Sequence, residues 1–292
     1  MKFKIGLSIL LLSVSWLRST ACDVCSCGSM AFGMGDFTNQ GRSLINFNYQ
    51  LKSFQGPLSQ DYFHQLQISG IWALSNNWQV KLSLPWMYAE REINDDGSRA
   101  ELNGPGDLSL SLQKKVWSWM GNESSHSLYL SAGIQAPTGK FEDRAIESLI
   151  APSFQRGSAS WDFLFSLQYE YGWKDYLLVY QSAHAQNTTN RFAYRFGDQW
   201  LNSLKAARNF EWGTKGLSML YLSLDHQYLM RDVNKRGYYQ FGTGGSAWLA
   251  GLGYQYSSSK WSLTGQYQFP GFAQIGDYQS GNQISLSFNY FL

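Results

Sequence analysis

Trp78-Gln79-Val80-Lys81-Leu82-Ser83-Leu84-Pro85-Trp86 is the stretch that decides the fold of this chain. Successive side chains of a strand point to opposite faces, so Trp78, Val80, Leu82, Leu84 and Trp86 share one side. Gln79, Lys81 and Ser83 share the other. One face is apolar and the other polar, which is strand periodicity and not helical periodicity.

The same alternation extends in both directions. Ile45, Phe47, Tyr49 and Leu51 alternate with Asn46, Asn48, Gln50 and Lys52, and Leu66, Ile68, Gly70 and Trp72 share a face. Further segments fall near 107–117, 126–136, 160–171, 175–185, 200–210, 217–228, 246–256, 261–269 and 282–292. That makes about twelve, each near the roughly nine to eleven residues a tilted strand needs to cross a bilayer. The connections alternate in length. Short ones lie at 75–77, 118–125, 172–174, 211–216 and 257–260; long ones lie at 89–106, 137–159, 186–199, 229–245 and 270–281. Outer-membrane barrels have short periplasmic turns and longer extracellular loops, so an even strand count predicts that both termini are periplasmic.

Tryptophan placement points the same way. Trp72, Trp78, Trp117, Trp119, Trp173, Trp212 and Trp261 lie at or beside short turns, and Trp86, Trp161, Trp200 and Trp248 lie where strands meet long loops. Indole rings collect at the boundary between hydrocarbon and head groups, whereas a soluble sandwich would favour Trp in strand middles. Composition agrees: only 15% of residues are charged while 16% are aromatic. A soluble domain usually carries about 25% charged residues, so much of this surface is expected to avoid water. The expected fold is all-β, a single antiparallel up-and-down transmembrane β-barrel. A net charge of +2 with scattered basic residues excludes nucleic acid as a partner.

The chain divides into three parts. Residues 1–21 carry Lys2 and Lys4, an apolar run and Ser19-Thr20-Ala21, the pattern of a cleaved signal peptide. A Cys-rich tail at 22–41 is expected in the periplasm, and the barrel occupies 42–292. The last strand places Ile284, Leu286, Phe288, Tyr290 and Leu292 on one face. It resembles the C-terminal strand read by the barrel assembly machinery, with Leu292 where an aromatic is usual.

Several motifs at loop edges stand in a fixed order: Gly104-Pro105-Gly106-Asp107, Pro137-Thr138-Gly139, Gly157-Ser158-Ala159-Ser160-Trp161-Asp162, Phe196-Gly197-Asp198, Thr243-Gly244-Gly245 and Pro270. Together they resemble the outer-membrane transporter-like barrels grouped with proteins of the meta-pathway of phenol degradation. Ala159 departs from the glycine expected there. The resemblance implies an outer-membrane channel that admits small hydrophobic or aromatic compounds.

The residues that could carry chemistry are few. Cys22, Cys25 and Cys27 are the chain's cysteines, and Met30 and Met34 follow them. Thiolates and thioethers suit Cu(I) or Zn(II). A disulfide and a lipid anchor on Cys22 are the competing readings, the latter disfavoured by Arg18 and Ser19. The polar phase of the strands is mainly Ser, Gln and Asn, with Lys52, Lys81, Glu170, Lys205 and Asp225 as its charged members. No strand carries a ladder of like charges, so a neutral or weakly discriminated solute is expected. Either an open pathway or a hydrogen-bonded filling of the lumen is compatible with that phase. Ser182 and His184 stand two apart near the end of the seventh segment, a spacing that a membrane phospholipase could use. Interface histidines beside lipopolysaccharide phosphates explain His64, His184 and His226 equally well. The sequence therefore predicts a monomeric, non-enzymatic channel in the bacterial outer membrane. Its expected partners are the lipid and lipopolysaccharide around it, the assembly machinery and a small-molecule or metal cargo.

Overall fold

The computed structural model describes residues 42–57, 59–93, 97–141, 154–211 and 216–292. The signal peptide, the tail with Cys22, Cys25, Cys27, Met30 and Met34, and Trp212 lie outside the described residues. In chain order the strands are β1 (Leu44–Gln55), β2 (Ser59–Ala73), β3 (Trp78–Ile93), β4 (Arg99–Pro105), β5 (Leu108–Met120), β6 (Ser124–Ala136) and β7 (Asp162–Trp173). They continue with β8 (Tyr176–Gln186), β9 (Gln199–Glu211), β10 (Leu217–Leu229), β11 (Gly245–Ser257), β12 (Trp261–Ile275) and β13 (Tyr278–Phe291).

The thirteen strands form one antiparallel sheet that closes where β1 meets β13, with Ile45 opposite Tyr290. β4 and β5 pair with successive parts of β3, Trp86 with Pro105 and then Ser83 with Ser109, so they form one interrupted stave and the barrel has twelve. Closure gives the staves of the wall a neighbour on each side, while the short β4 pairs with β3 alone; ladder bonds made between staves need no water, which is the condition for crossing a bilayer with strands.

The alternation in sequence becomes an inside and an outside. In β3, Leu82, Leu84 and Trp86 are exposed on the outer wall while Gln79 and Ser83 are buried inside. Trp72, Trp78, Trp117, Trp119, Trp173 and Trp261 ring the end that carries the short turns, the start of β1 and the end of β13, here called the turn end. Trp86, Trp161, Trp200 and Trp248 ring the opposite, loop end. Trp78 and Trp86 are eight residues apart on one strand, about 26 Å along it, or about 20 Å in height at the usual barrel tilt. That separation matches an apolar band on the order of 25 Å.

Two expected long loops are strands instead. Most of 89–106 is a hairpin in which β3 runs on to Ile93 and returns as β4. In 270–281, β12 continues to Ile275, turns at Gly276 and Asp277, and returns as β13. A register shift between Gln268 and Gln274 accommodates Pro270, which cannot donate to a ladder. These extensions rise past the Trp level, where neither face meets lipid, and the two-phase contrast in the sequence fades.

Candidate functional site

The barrel interior has two halves of different character. On the turn side lies a cavity with about 1280 Å³ of space free of protein atoms, part of it continuous with solvent. Its wall is mostly amide and hydroxyl: Asn46, Asn48, Gln79, Gln113, Ser131, Gln168, Gln266 and Ser285 among them. These are the polar-phase residues of their strands, carried inward because the alternate residues face lipid. The lining reaches the turn end at Leu44 and Ile71 and includes Lys81, Glu170 and Lys205.

The other charged residues singled out in the sequence lie in the wall. Asp225 is fully buried, and its Oδ2 accepts from Ser223 Oγ at 3.1 Å and Gln268 Nε2 at 2.6 Å. Lys52 lies on the inward phase of β1 toward the loop end, opposite Phe63 and Gln283. Glu170 accepts from Gln168 Nε2 at 2.7 Å. Lys205 places its ammonium over the Tyr221 ring at 5.5 Å.

The loop half is packed. Gln65, Gln67, Ser69 and Ser83 are buried side by side on the inner faces of β2 and β3, and the hydroxyls of Ser69 and Ser83 meet at 2.6 Å. Beyond them an apolar layer brings together Phe54, Phe63, Met87, Ala89, Leu102, Leu229, Ala247 and Ile275 from seven strands around Phe154. Phe154 comes from the β6–β7 connection and is completely buried. Its ring meets Phe63 edge-on at 5.5 Å, and the Arg91 guanidinium lies 4.7 Å from its centroid. Arg91 is held in turn by Asp61 through a buried bidentate pair at 2.8 and 2.5 Å. A second apolar cluster, Phe141, Tyr194 and Phe196, forms from residues of the β6–β7 and β8–β9 connections. Among the described residues the polar cavity thus lies toward the turn end and the apolar clusters toward the loop end.

The sequence reading missed this apolar layer, although it left a signal. Phe54, Phe63 and Met87 fall in the polar phase of β1, β2 and β3, where an apolar side chain points into the bore. Arg91 and Asp61 share that phase.

The loop-edge motifs converge on the same end. Asp107 Oδ2 accepts from Ser158 N at 2.7 Å, and Asp107 Oδ1 accepts from Gly139 N at 2.8 Å. Ser158 Oγ lies 2.9 Å from both Asp107 Oδ2 and Asp162 Oδ2. Thr138 Oγ1 donates to Gly106 O and accepts from Leu108 N. Gly139 and Gly157 cross so closely that a Cβ on either would come within 2.6–2.7 Å of the other's backbone. Burial pushes the Asp107 carboxyl above its ordinary range, and the hydrogen bonds from Ser158, Gly139 and Gln135 act in the opposite sense. Farther round the rim, Asp232 Oδ1 accepts from Gly197 N at 2.6 Å, and Asp232 N donates to Thr243 Oγ1 at 2.9 Å. Three motifs distant in sequence therefore form one latch that holds the Phe154 segment against the barrel, and two more tie the neighbouring loops together.

Ala159 sits in this latch with φ of 56°, in the left-handed region that favours glycine. A non-glycine residue there carries a cost of about 1–2 kcal/mol, partly offset by glycine's greater freedom when unfolded. Ala159→Gly is expected to stabilise the protein by about 0.5–1 kcal/mol, read as a raised midpoint in urea unfolding and refolding. An unchanged or lowered midpoint would show that the methyl group's packing outweighs the backbone term.

The structure places Ser182 and His184 on one strand. Both lie on the outer phase of β8, and His184 Nδ1 is 3.0 Å from Gln199 O and its ring stacks on Trp200 at 4.2 Å. His226 stacks on Trp248 in the same way at 4.3 Å. Among the described residues no group of three or more His, Cys, Asp or Glu could hold a metal ion.

No protein-family model matches the chain, and no curated protein sequence matches it. Solved structures do. The COG4313 outer membrane channel from Pseudomonas putida F1 superposes with a TM-score of 0.67 at 12% identity, over 88% of this chain and 100% of that one. The transport unit of the autotransporter AIDA-I from Escherichia coli aligns with a TM-score of 0.49 at 10% identity, over 89% of this chain and 93% of that one. The beta domain of the Bordetella autotransporter BrkA gives 0.48 at 12% identity, over 86% and 100%. The first of these likenesses shows that the two chains share the closed antiparallel barrel fold.

Proposed function

We propose that this protein is a bacterial outer-membrane channel that admits small solutes passively, with both chain ends on the periplasmic side. One observation carries the reading: an apolar-walled barrel encloses a polar cavity that reaches the turn end and stops beneath an apolar layer at the loop end. A bore filled by its own side chains would pair its polar groups throughout, whereas this one keeps a cavity lined by amides and hydroxyls. The packed layer is the barrier a solute must pass, and its apolar lining suits small molecules with an apolar part. Uptake of small uncharged solutes into protein-containing liposomes tests this. Swelling above that of protein-free liposomes is expected, and rates equal to the protein-free control would remove the proposal.

The Cys22, Cys25 and Cys27 tail joins the barrel at the turn end, beside the cavity mouth, where Ser43 O accepts from Leu292 N. We propose that it binds a soft ion, Cu(I) or Zn(II), through these thiolates with Met30 and Met34 in reserve. Anaerobic Cu(I) titration against a competing chelator is expected to show tight binding by the wild type. Replacing all three cysteines by serine should abolish it, and equal binding by both proteins would take the tail out of any metal role.

A further inference from the structure

We infer that the turn-side cavity holds a subsite for a small aliphatic carboxylate, formed where Lys81 stands beside Ile71 on the cavity wall. The inference deepens the channel proposal, on which it rests, by naming the chemistry of a permeating solute.

Lys81 is on the inward phase of β3 and lines the cavity. Across the ladder it faces Ile71 on one side and Ser111 on the other, and Ile71 is itself next to Leu44's strand, directly opposite Leu44. Leu44 and Ile71 are the aliphatic side chains of a lining that is otherwise polar or aromatic. The cation thus neighbours the aliphatic Ile71 on the cavity wall, with the buried Leu44 next to Ile71 on the far side.

Charge bookkeeping favours an anion at this place. The cavity lining carries two lysines, Lys81 and Lys205, against one carboxylate, Glu170, and among the other lumen acids Asp61 is paired with Arg91. Lys81 has no ion pair or hydrogen bond among the described residues. An unpaired ammonium in a narrow bore gives up part of its hydration, and that loss is recovered when an anion arrives. Gln79 and Gln113 face each other across β3 and β5 one step from Lys81, and Ser111 is its direct neighbour. The amide N–H of Gln113 and the hydroxyl of Ser111 are the donors a carboxylate needs once one oxygen has met the ammonium. Ile71 then receives a short hydrocarbon chain, which also suits the apolar layer such a solute must cross. A bare inorganic anion would use the lysine and leave Ile71 unused.

Butyrate and its neutral isostere butyramide separate charge from shape. Isothermal titration of the full-length detergent-folded protein is expected to show butyrate bound about tenfold or more tightly than butyramide, the scale of one charge-assisted hydrogen bond. Lys81→Gln should erase that preference, while Lys81→Arg should keep it. Heat-modifiable gel mobility confirms that each variant is folded. Planar-bilayer reversal potentials in a KCl gradient give an independent reading, with chloride preference falling in Lys81→Gln and reversing in Lys81→Glu. Equal binding of the two ligands by the wild type, or a preference that survives Lys81→Gln, overturns the subsite. A butyrate preference without any conductance supports the subsite and overturns the channel instead; conductance whose ion preference ignores Lys81 leaves the channel and overturns the subsite.

Discussion

Phe154→Ala is expected to raise conductance through the barrel several-fold over the wild type. Phe154 is, among the described residues, the one side chain from a connecting loop within the apolar layer, and it packs among residues supplied by seven strands, β1–β4 and β10–β12. Removing a buried phenyl forfeits about 3–5 kcal/mol of packing at the site. The strands around it are fixed by their own ladders and cannot collapse inward to refill the space. Arg91 also loses the ring over which it lies at 4.7 Å, although Asp61 still holds it. A water-filled gap therefore replaces a dry one while the barrel stays folded. Phe154→Leu, which restores most of the volume, should stay near the wild type. Equal conductance in the Ala variant and the wild type, with both folded, would show that Phe154 is not part of the barrier.

The second large effect is expected at the latch. Asp107→Ala removes the acceptor for Ser158 N, Ser158 Oγ and Gly139 N in one step. Losing a charged acceptor costs about 1.5–3 kcal/mol per hydrogen bond and leaves buried donors unpaired, so the local loss is on the order of 3–5 kcal/mol. The loss falls on the segment held by Ser158, because the ladder β5 makes with β6 does not depend on it. Arg156 lies in that segment, so trypsin supplies the measurement. Cleavage that follows the open population should speed up after Arg156 by roughly a hundredfold or more, the factor belonging to about 3 kcal/mol. Fragments are identified by mass spectrometry. An unchanged rate of cleavage at Arg156 would mean that the segment is held by something other than Asp107.

The strands were legible because lipid imposes a rule on every second residue, and Trp78 to Trp86 obeys it without exception on the outer face. The rule ends with the lipid. In the β3–β4 extension Glu90, Arg91 and Glu92 pair with Glu101, Ala100 and Arg99, and neither phase is apolar, so the hairpin reads as a loop. The motifs were legible as turn punctuation, and the odd Ala159 pointed to a backbone position that favours glycine. Their meeting on Asp107 was not legible, since it depends on which strands become neighbours and at what stagger. The apolar layer was hidden for the same reason. Phe54, Phe63 and Met87 each look like a single lapse in a polar phase, and only the closed barrel sets them at one height around Phe154.

The central claim, a channel whose bore is closed at the loop end, is tested most directly by single-channel recording of the purified full-length protein in planar bilayers. The account predicts discrete, small conductance steps for the wild type and larger steps for Phe154→Ala. Folded protein that gives no steps in either form, at any applied voltage, would contradict it.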